Sequence, residues 1–210
     1  MRRNILFCLS PILGAILFAG CSTGDRVGSE TALPRLFESP SFQLTSETEK
    51  TVSRSDLLGK VWVVDFIFTR CAGPCPLMTQ RMKTLQDELS SQGLLGPESD
   101  VRLVSITVDP EYDTPRILED YGKLWGARPG TWIFLTGPPD TLLSTIQTGF
   151  KVTATREPSS ADMPGMPQIR HGTNFLLVDK QGWIRRIAHL EDPDLETSLT
   201  RDIQALLKEG

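Results

Sequence analysis

Val61-Trp62-Val63-Val64-Asp65-Phe66-Ile67-Phe68-Thr69-Arg70-Cys71-Ala72-Gly73-Pro74-Cys75-Pro76-Leu77-Met78-Thr79-Gln80-Arg81-Met82 carries three patterns in succession. Residues 61–68 are β-branched or aromatic apart from Asp65, which predicts a buried strand. Residues 69–76 then hold two cysteines, a glycine and two prolines. From Leu77 the apolar residues Leu77, Met78, Met82, Leu85 and Leu89 recur at helical spacing and stop near Gly93. Cys71 and Cys75 therefore stand where a central strand becomes a helix, a place where open α/β sheets bind ligands.

The rest of the chain extends this unit. Phe42–Leu44 and Thr51–Val52 read as a short hairpin, and residues 55–60 as a tight connection into the strand. Val101–Val108 is a second buried strand. Asp113 or Thr114 can cap a helix that has Pro115 in its first turn and Ile117, Leu118, Tyr121 and Leu124 on its apolar face. Trp132–Leu135 is a third strand, and a short helix follows through Leu142, Leu143 and Ile146. Residues 151–155 look extended, and the polar, Pro- and Ser-rich stretch 155–170 reads as an irregular loop. Asn174–Val178 and Trp183–Ala188 flank Asp179-Lys180-Gln181-Gly182, a hairpin signal. Residues 193–207 close the chain as a helix. Strands alternating with helices and then a β-hairpin and a helix make an α/β plan of the thioredoxin-like type, a central mixed sheet flanked by helices, with an N-terminal hairpin and an inserted loop.

The chain has 210 residues, 39 % of them hydrophobic, enough for one domain with a real core. Its formal charge is −4 with no basic block, which argues against nucleic acid as a partner. Arg2 and Arg3 precede an apolar run from Ile5 to Ala19 that Ser10, Pro11 and Gly14 interrupt, so it reads as a targeting segment and not a membrane span. Leu17-Phe18-Ala19-Gly20-Cys21 resembles a bacterial lipobox, with Phe18 where leucine is usual. That resemblance implies cleavage before Cys21 and a lipid on its sulfur, where acyl chains contribute about 0.8 kcal/mol per buried methylene to anchoring. The expected organisation is a lipoprotein signal peptide over 1–20, a Gly/Ser-rich flexible tether over 21–36 and a thioredoxin-like domain over 37–210, exported and held on a bacterial membrane facing the periplasm or the cell exterior. An ordinary secretory signal is the plainer alternative.

Of the four cysteines, Cys8 would leave with the signal and Cys21 would be capped by lipid. Cys71 and Cys75 would then be the free pair in an oxidising compartment, too close together to staple a fold. A helix start beside them favours thiolate over thiol, and Arg70 adds a nearby positive charge. Three uses fit: thiol–disulfide exchange, whose usual spacing is two intervening residues and not three; peroxide reduction; and soft-metal binding, which needs a third ligand. The spacing alone does not separate them. The chain has two histidines. His189 reads as a surface or edge residue, whereas His171, just before a strand, can face the cysteine turn across the sheet end. Met163 and Met166 lie shortly before it and are soft enough for copper(I), although a loop methionine more often packs. Asp109, Asp113 and Asp179 read as turn and cap residues.

Four fragments together resemble the SCO/SenC copper proteins, which are involved in assembling the copper centre of cytochrome c oxidase. They are F-x-F-T-R-C-x-x-x-C-P at Phe66–Pro76, D-P-x-x-D-T-P at Asp109–Pro115, W-x-F-L-T-G at Trp132–Gly137, and His171 ahead of F-L-L-V-D-x-x-G at Phe175–Gly182. The resemblance implies a thioredoxin-like fold, with Cys71, Cys75 and His171 as ligands of copper, copper(I) first and copper(II) as an option. Its partner would be the copper-bearing subunit of cytochrome c oxidase or another copper or thiol protein. Two departures stand out: the insert Ala72-Gly73-Pro74 lacks the acid often found there, and Arg170 stands where an acid often precedes the histidine. Arg70 and Arg170 could offset the negative charge of a copper(I) dithiolate. A metallochaperone and a thiol–disulfide reductase cycling a redox-active Cys71/Cys75 disulfide are the two leading readings, and a reductase has no need of His171.

Overall fold

Strand β4, Val61–Ile67, is buried at all seven positions because both faces of the sheet around it are covered. The computed structural model describes residues 32–157 and 168–209. The expectations about the signal segment, Cys8, Cys21, Met163 and Met166 lie outside those residues. The other strands are β1 Phe37–Glu38, β2 Gln43–Ser46, β3 Thr51–Ser53, β5 Val101–Thr107, β6 Trp132–Thr136, β7 Ala154–Glu157, β8 Gln168–His171, β9 Asn174–Val178 and β10 Trp183–His189. The helices are α1 Arg54–Leu57, α2 Cys75–Ser91, α3 Pro115–Leu124, α4 Pro139–Ser144, which runs into a π-helical turn Thr145–Gly149, and α5 Leu195–Lys208.

Eight strands form one mixed sheet in the order β1-β10-β9-β4-β5-β6-β2-β3. β4, β5 and β6 run parallel, while β9 pairs antiparallel with β4 and β10 with β9. This is the α/β, thioredoxin-like plan. The period-2 alternation of β4 divides the interior. Val61, Val63 and Ile67 point into a core closed by Met78, Met82, Leu85 and Leu89 of α2 and by Leu199 and Ile203 of α5. Trp62, Val64 and Phe66 point the other way, against Phe42, Phe150, Leu142 and Ile146.

The helical stripe read from Leu77 onward is α2, whose buried residues include Met78, Met82, Leu85 and Leu89. Its stop is Gly93, where φ is +69°. Thr114 caps α3 through its side-chain oxygen, which accepts from Ile117 N–H at 3.4 Å. Gly182, at φ +85°, makes the β9–β10 turn that the Asp179–Gly182 signal called for. Residues 33 and 34 are already fastened to the domain, because Leu33 and Pro34 carbonyls accept from buried Arg185, itself paired with Asp179.

Two expectations change. The connection over 55–60 contains a helical turn, α1, closed by a capping box in which Asp56 accepts from Ser53 N–H at 2.8 Å. The stretch 155–170 is not irregular throughout, since its two ends pair as the antiparallel ribbon β7–β8 with Ala154 opposite His171 and Thr155 opposite Arg170. Backbone pairing satisfies donors and acceptors that the polar side chains of this stretch gave no reason to place in a strand.

Candidate metal centre

The chain leaves β4 at Ile67, and its turn is held by a buried carboxylate from the loop after β5. Asp113 accepts from Thr69 N–H at 3.1 Å, from Thr69 Oγ1 at 2.5 Å and from Thr107 Oγ1 at 2.5 Å. Burial pushes its carboxyl pKa up while these donors oppose the shift. Asp113 is therefore more than the cap or turn residue its sequence context suggested. Its carboxylate ties the exit of β4 to the end of β5.

Cys71 follows just before a bend over residues 72–74, half-buried, and Cys75 is the first residue of α2, fully buried in the core facing that helix. Both are free thiols. Gly73 N–H donates to Cys71 Sγ at 3.3 Å. Hydrogen bonding from the Cys75 thiol, helped by the Cys75 and Gly73 backbone, holds the Cys71 thiol well below its usual range. The same hydrogen bond, together with burial, pushes Cys75 up. The pair is thus asymmetric, an accessible thiolate and an enclosed thiol.

His171 ends β8 and does not lie on a loop as the sequence suggested. Its Nδ1 is 3.1 Å from Gly172 O, an oxygen that can only accept, so Nδ1 carries the proton and Nε2 presents its lone pair. Nε2 lies 3.1 Å from Cys75 Sγ. The Phe68 ring meets the imidazole in a T-shaped pair with ring centroids 5.7 Å apart and an interplanar angle of 81°. The two sulfurs and one ring nitrogen all lie within 4.8 Å of one another. Three donors around one ion at ordinary metal–sulfur and metal–nitrogen lengths sit about 3.5–4 Å apart, so this donor set fits a single small ion with little movement. Two sulfurs and an imidazole suit soft or borderline metals, copper(I) and zinc above all.

Among the sequence-singled residues, the structure brings Cys71, Cys75 and His171 together and leaves His189 apart. His189 is exposed, and its Nδ1 pairs with Asn174 Oδ1 at 3.1 Å. Arg70 does not aim its charge at the sulfurs. Its Nε donates to buried Asp109 Oδ2 at 2.7 Å and its guanidinium lies 4.3 Å from the centre of the Tyr112 ring, so its charge is committed to Asp109. Arg170 is exposed on the ribbon. Two groups were not foreseen. Asp65, the break in the apolar run, accepts from Ser105 Oγ at 2.6 Å, while its Oδ2 has no hydrogen-bond partner among the described residues and burial raises its carboxyl to about 7. Arg156 reaches from β7 to Asp109 Oδ1 at 3.4 Å and to Glu111. The interruption of an otherwise apolar strand was a visible signal for Asp65; none in the sequence links residues 109 and 156.

Comparison with known proteins agrees with this arrangement. The SCO1/SenC family model matches residues 31–208. A curated relative, the SCO1 protein homolog of Bacillus subtilis (strain 168), is 31 % identical over 169 residues, 80 % of this chain and 81 % of its own length. A SCO1/SenC family lipoprotein from Bacillus anthracis str. Ames superposes with a TM-score of 0.71 at 30 % identity, covering 81 % of this chain and 95 % of its own. BsSco, described as a member of the Sco family of cytochrome c oxidase assembly proteins with a disulfide switch, superposes at 0.70 with 29 % identity, covering 84 % and 97 %. Bradyrhizobium japonicum ScoI with copper bound shares the fold at a TM-score of 0.66 and 22 % identity, covering 80 % of this chain and 99 % of its own. No helix among the described residues is long and apolar enough to cross a membrane.

Proposed function

This chain belongs to the SCO1/SenC family, and from that premise we propose that it carries copper on Cys71, Cys75 and His171 and delivers it to, or helps assemble, the copper centre of cytochrome c oxidase. The observation that carries this reading is the convergence of Cys71 Sγ, Cys75 Sγ and His171 Nε2 within 4.8 Å. Copper(I) is the form these soft donors favour. Copper is the cargo here. Cys71 offers a thiolate before binding, His171 offers a lone pair already fixed by Gly172 O, and Cys75 gives up its proton when the ion enters. The half-exposed Cys71 is the ligand within reach of an acceptor's own thiols, so the transfer would start on that side. The acceptor is the copper-bearing subunit of the oxidase or another copper or thiol protein.

The same reading takes Cys21 as the lipid attachment residue of an exported protein whose domain faces the periplasm or cell exterior. The pattern Leu17-Phe18-Ala19-Gly20-Cys21 and the description of the Bacillus anthracis relative as a lipoprotein support it. Mass measurement of the membrane-extracted protein tests it: an N-terminal peptide starting at an unmodified residue other than Cys21 removes the anchor.

The asymmetry of the cysteines favours a second reading, thiol–disulfide reduction. The Cys71 thiolate would attack a partner's disulfide, breaking that S–S bond and forming a mixed disulfide. Cys75, once deprotonated, would then attack Cys71 Sγ and release the partner's second thiolate, leaving a Cys71–Cys75 disulfide and a partner reduced by two electrons.

Copper(I) titration of the reduced domain against a chromophoric chelator separates the two. One equivalent bound tightly by the wild type, with affinity lowered in His171→Ala, supports the carrier. Binding no stronger than in Cys71→Ser/Cys75→Ser, with disulfide reduction intact in His171→Ala, supports the reductase instead.

A further inference from the structure

The third donor of the site stands on a ribbon that is not part of the main sheet. Among the described residues β7 and β8 pair only with each other, and an isolated two-stranded ribbon is marginal in water. Val152 and Ala154 bury its root, and Gly172 N–H donates to Thr153 O at 2.9 Å. Beyond that root the ribbon's packing thins to Ile169, which is partly buried against the core facing α2. A groove of about 90 Å³, with Val108, Leu142, Ile146 and Ile169 in its lining, lies between the ribbon and α4. Such sparse packing leaves room for a polar contact that helps hold His171 against Cys75.

Asp109 supplies that contact. It follows β5, is fully buried, and divides its two oxygens between the two halves of the site. Oδ2 takes Arg70, the residue next to Cys71, at 2.7 Å, and Oδ1 takes Arg156 of the ribbon at 3.4 Å. Glu111 grips the other arm of the same Arg156 guanidinium. The Asp109 N–H is tied to Thr107 Oγ1 at 2.9 Å, so the carboxylate projects from a backbone fixed at the end of β5. A carboxylate fully removed from water requires such partners, and each arginine loses part of its purpose without it. We propose that Asp109, through Arg70 and Arg156, is a positioning residue that clasps the histidine ribbon to the cysteine turn and so sets the Cys71–Cys75–His171 geometry.

The clasp acts on His171, so its effect on copper rests on the carrier reading above. It also has a signature that needs no metal. In the reduced, metal-free protein, Asp109→Asn and Arg156→Gln speed amide hydrogen exchange in the ribbon and weaken the nuclear Overhauser contact between the Phe68 and His171 rings, while exchange in β4 and β5 stays as in wild type. With copper(I) as probe, each variant loses about 10- to 100-fold in affinity, the usual cost of removing a partner that orients a ligand. A double-mutant cycle separates positioning from general damage: once His171→Ala is in place, adding Arg156→Gln costs nothing more. Arg156 is 45 % exposed, so its replacement leaves the fold intact even where Asp109→Asn does not. Ribbon exchange and the Phe68–His171 contact unchanged in Arg156→Gln would overturn the clasp, and so would copper losses that simply add to those of His171→Ala. Should wild type bind no copper(I), the carrier reading falls, and the metal-free measurements still decide the clasp.

Discussion

The cysteine turn and the histidine ribbon bring their donor atoms to the same point in space, yet they are built in opposite ways. The turn grows from the most buried strand of the sheet, sits on the first turn of the 17-residue helix α2, and is bolted underneath by Asp113. The ribbon is a two-stranded appendage whose contacts toward the turn include one sulfur–nitrogen approach, one aromatic pair and a shared carboxylate. Two sulfurs are thereby as stable as the domain itself, while the nitrogen can leave at much lower cost. A site of that kind holds a soft ion firmly with two donors and can open its third position without unfolding, which suits a carrier that must also release.

The sharpest way to break the comparison is at the bolt of the turn. Asp113→Ala strands Thr69 N–H and two hydroxyls in the interior, each worth about 1–3 kcal/mol when unsatisfied and buried, so a loss of about 3–5 kcal/mol of global stability is expected. Urea unfolding measures it, and a loss comparable to that of Arg156→Gln would erase the distinction between turn and ribbon.

A subtler probe lies in β4 itself. Burial raises the Asp65 carboxyl from 3.8 to about 7, so between those values the unfolded chain is ionised while the folded protein keeps the proton. Its contribution to stability is fully present below pH 4, declines as pH rises and is lost above pH 7. Asp65→Asn removes this dependence and can still accept the Ser105 hydroxyl. The variant is expected to match wild type near pH 4 and to exceed it by about 1–3 kcal/mol at pH 8, below the ceiling of roughly 4 kcal/mol that such a shift allows. A difference between the two proteins that stays flat from pH 4 to pH 8 would show that Asp65 is ionised in the folded state.

What could be read in advance follows the same division. β4, α2, β5 and the β9–β10 hairpin were legible because burial imposes periodicity, and Thr114-Pro115 and Asp179–Gly182 mark boundaries chemically. Cys71 and Cys75 were legible from their place between strand and helix. His171 was legible as one of two histidines, placed where it can face the cysteine turn, but its own strand was missed, because the ribbon is stabilised by partners far away in sequence. Arg156 and Asp109 are 47 residues apart, and no local pattern joins them. The aspartates after β5 looked like caps and turns because such residues usually are; their burial, visible only in three dimensions, makes them fasteners.

The central claim is that one ion is held by both regions at once. X-ray absorption at the copper edge of the copper(I)-loaded domain tests it most directly. Two sulfur scatterers and one imidazole nitrogen in wild type, with the nitrogen lost and both sulfurs kept in His171→Ala, are the expected result. An identical first coordination sphere in wild type and His171→Ala would mean that the ribbon takes no part in the site.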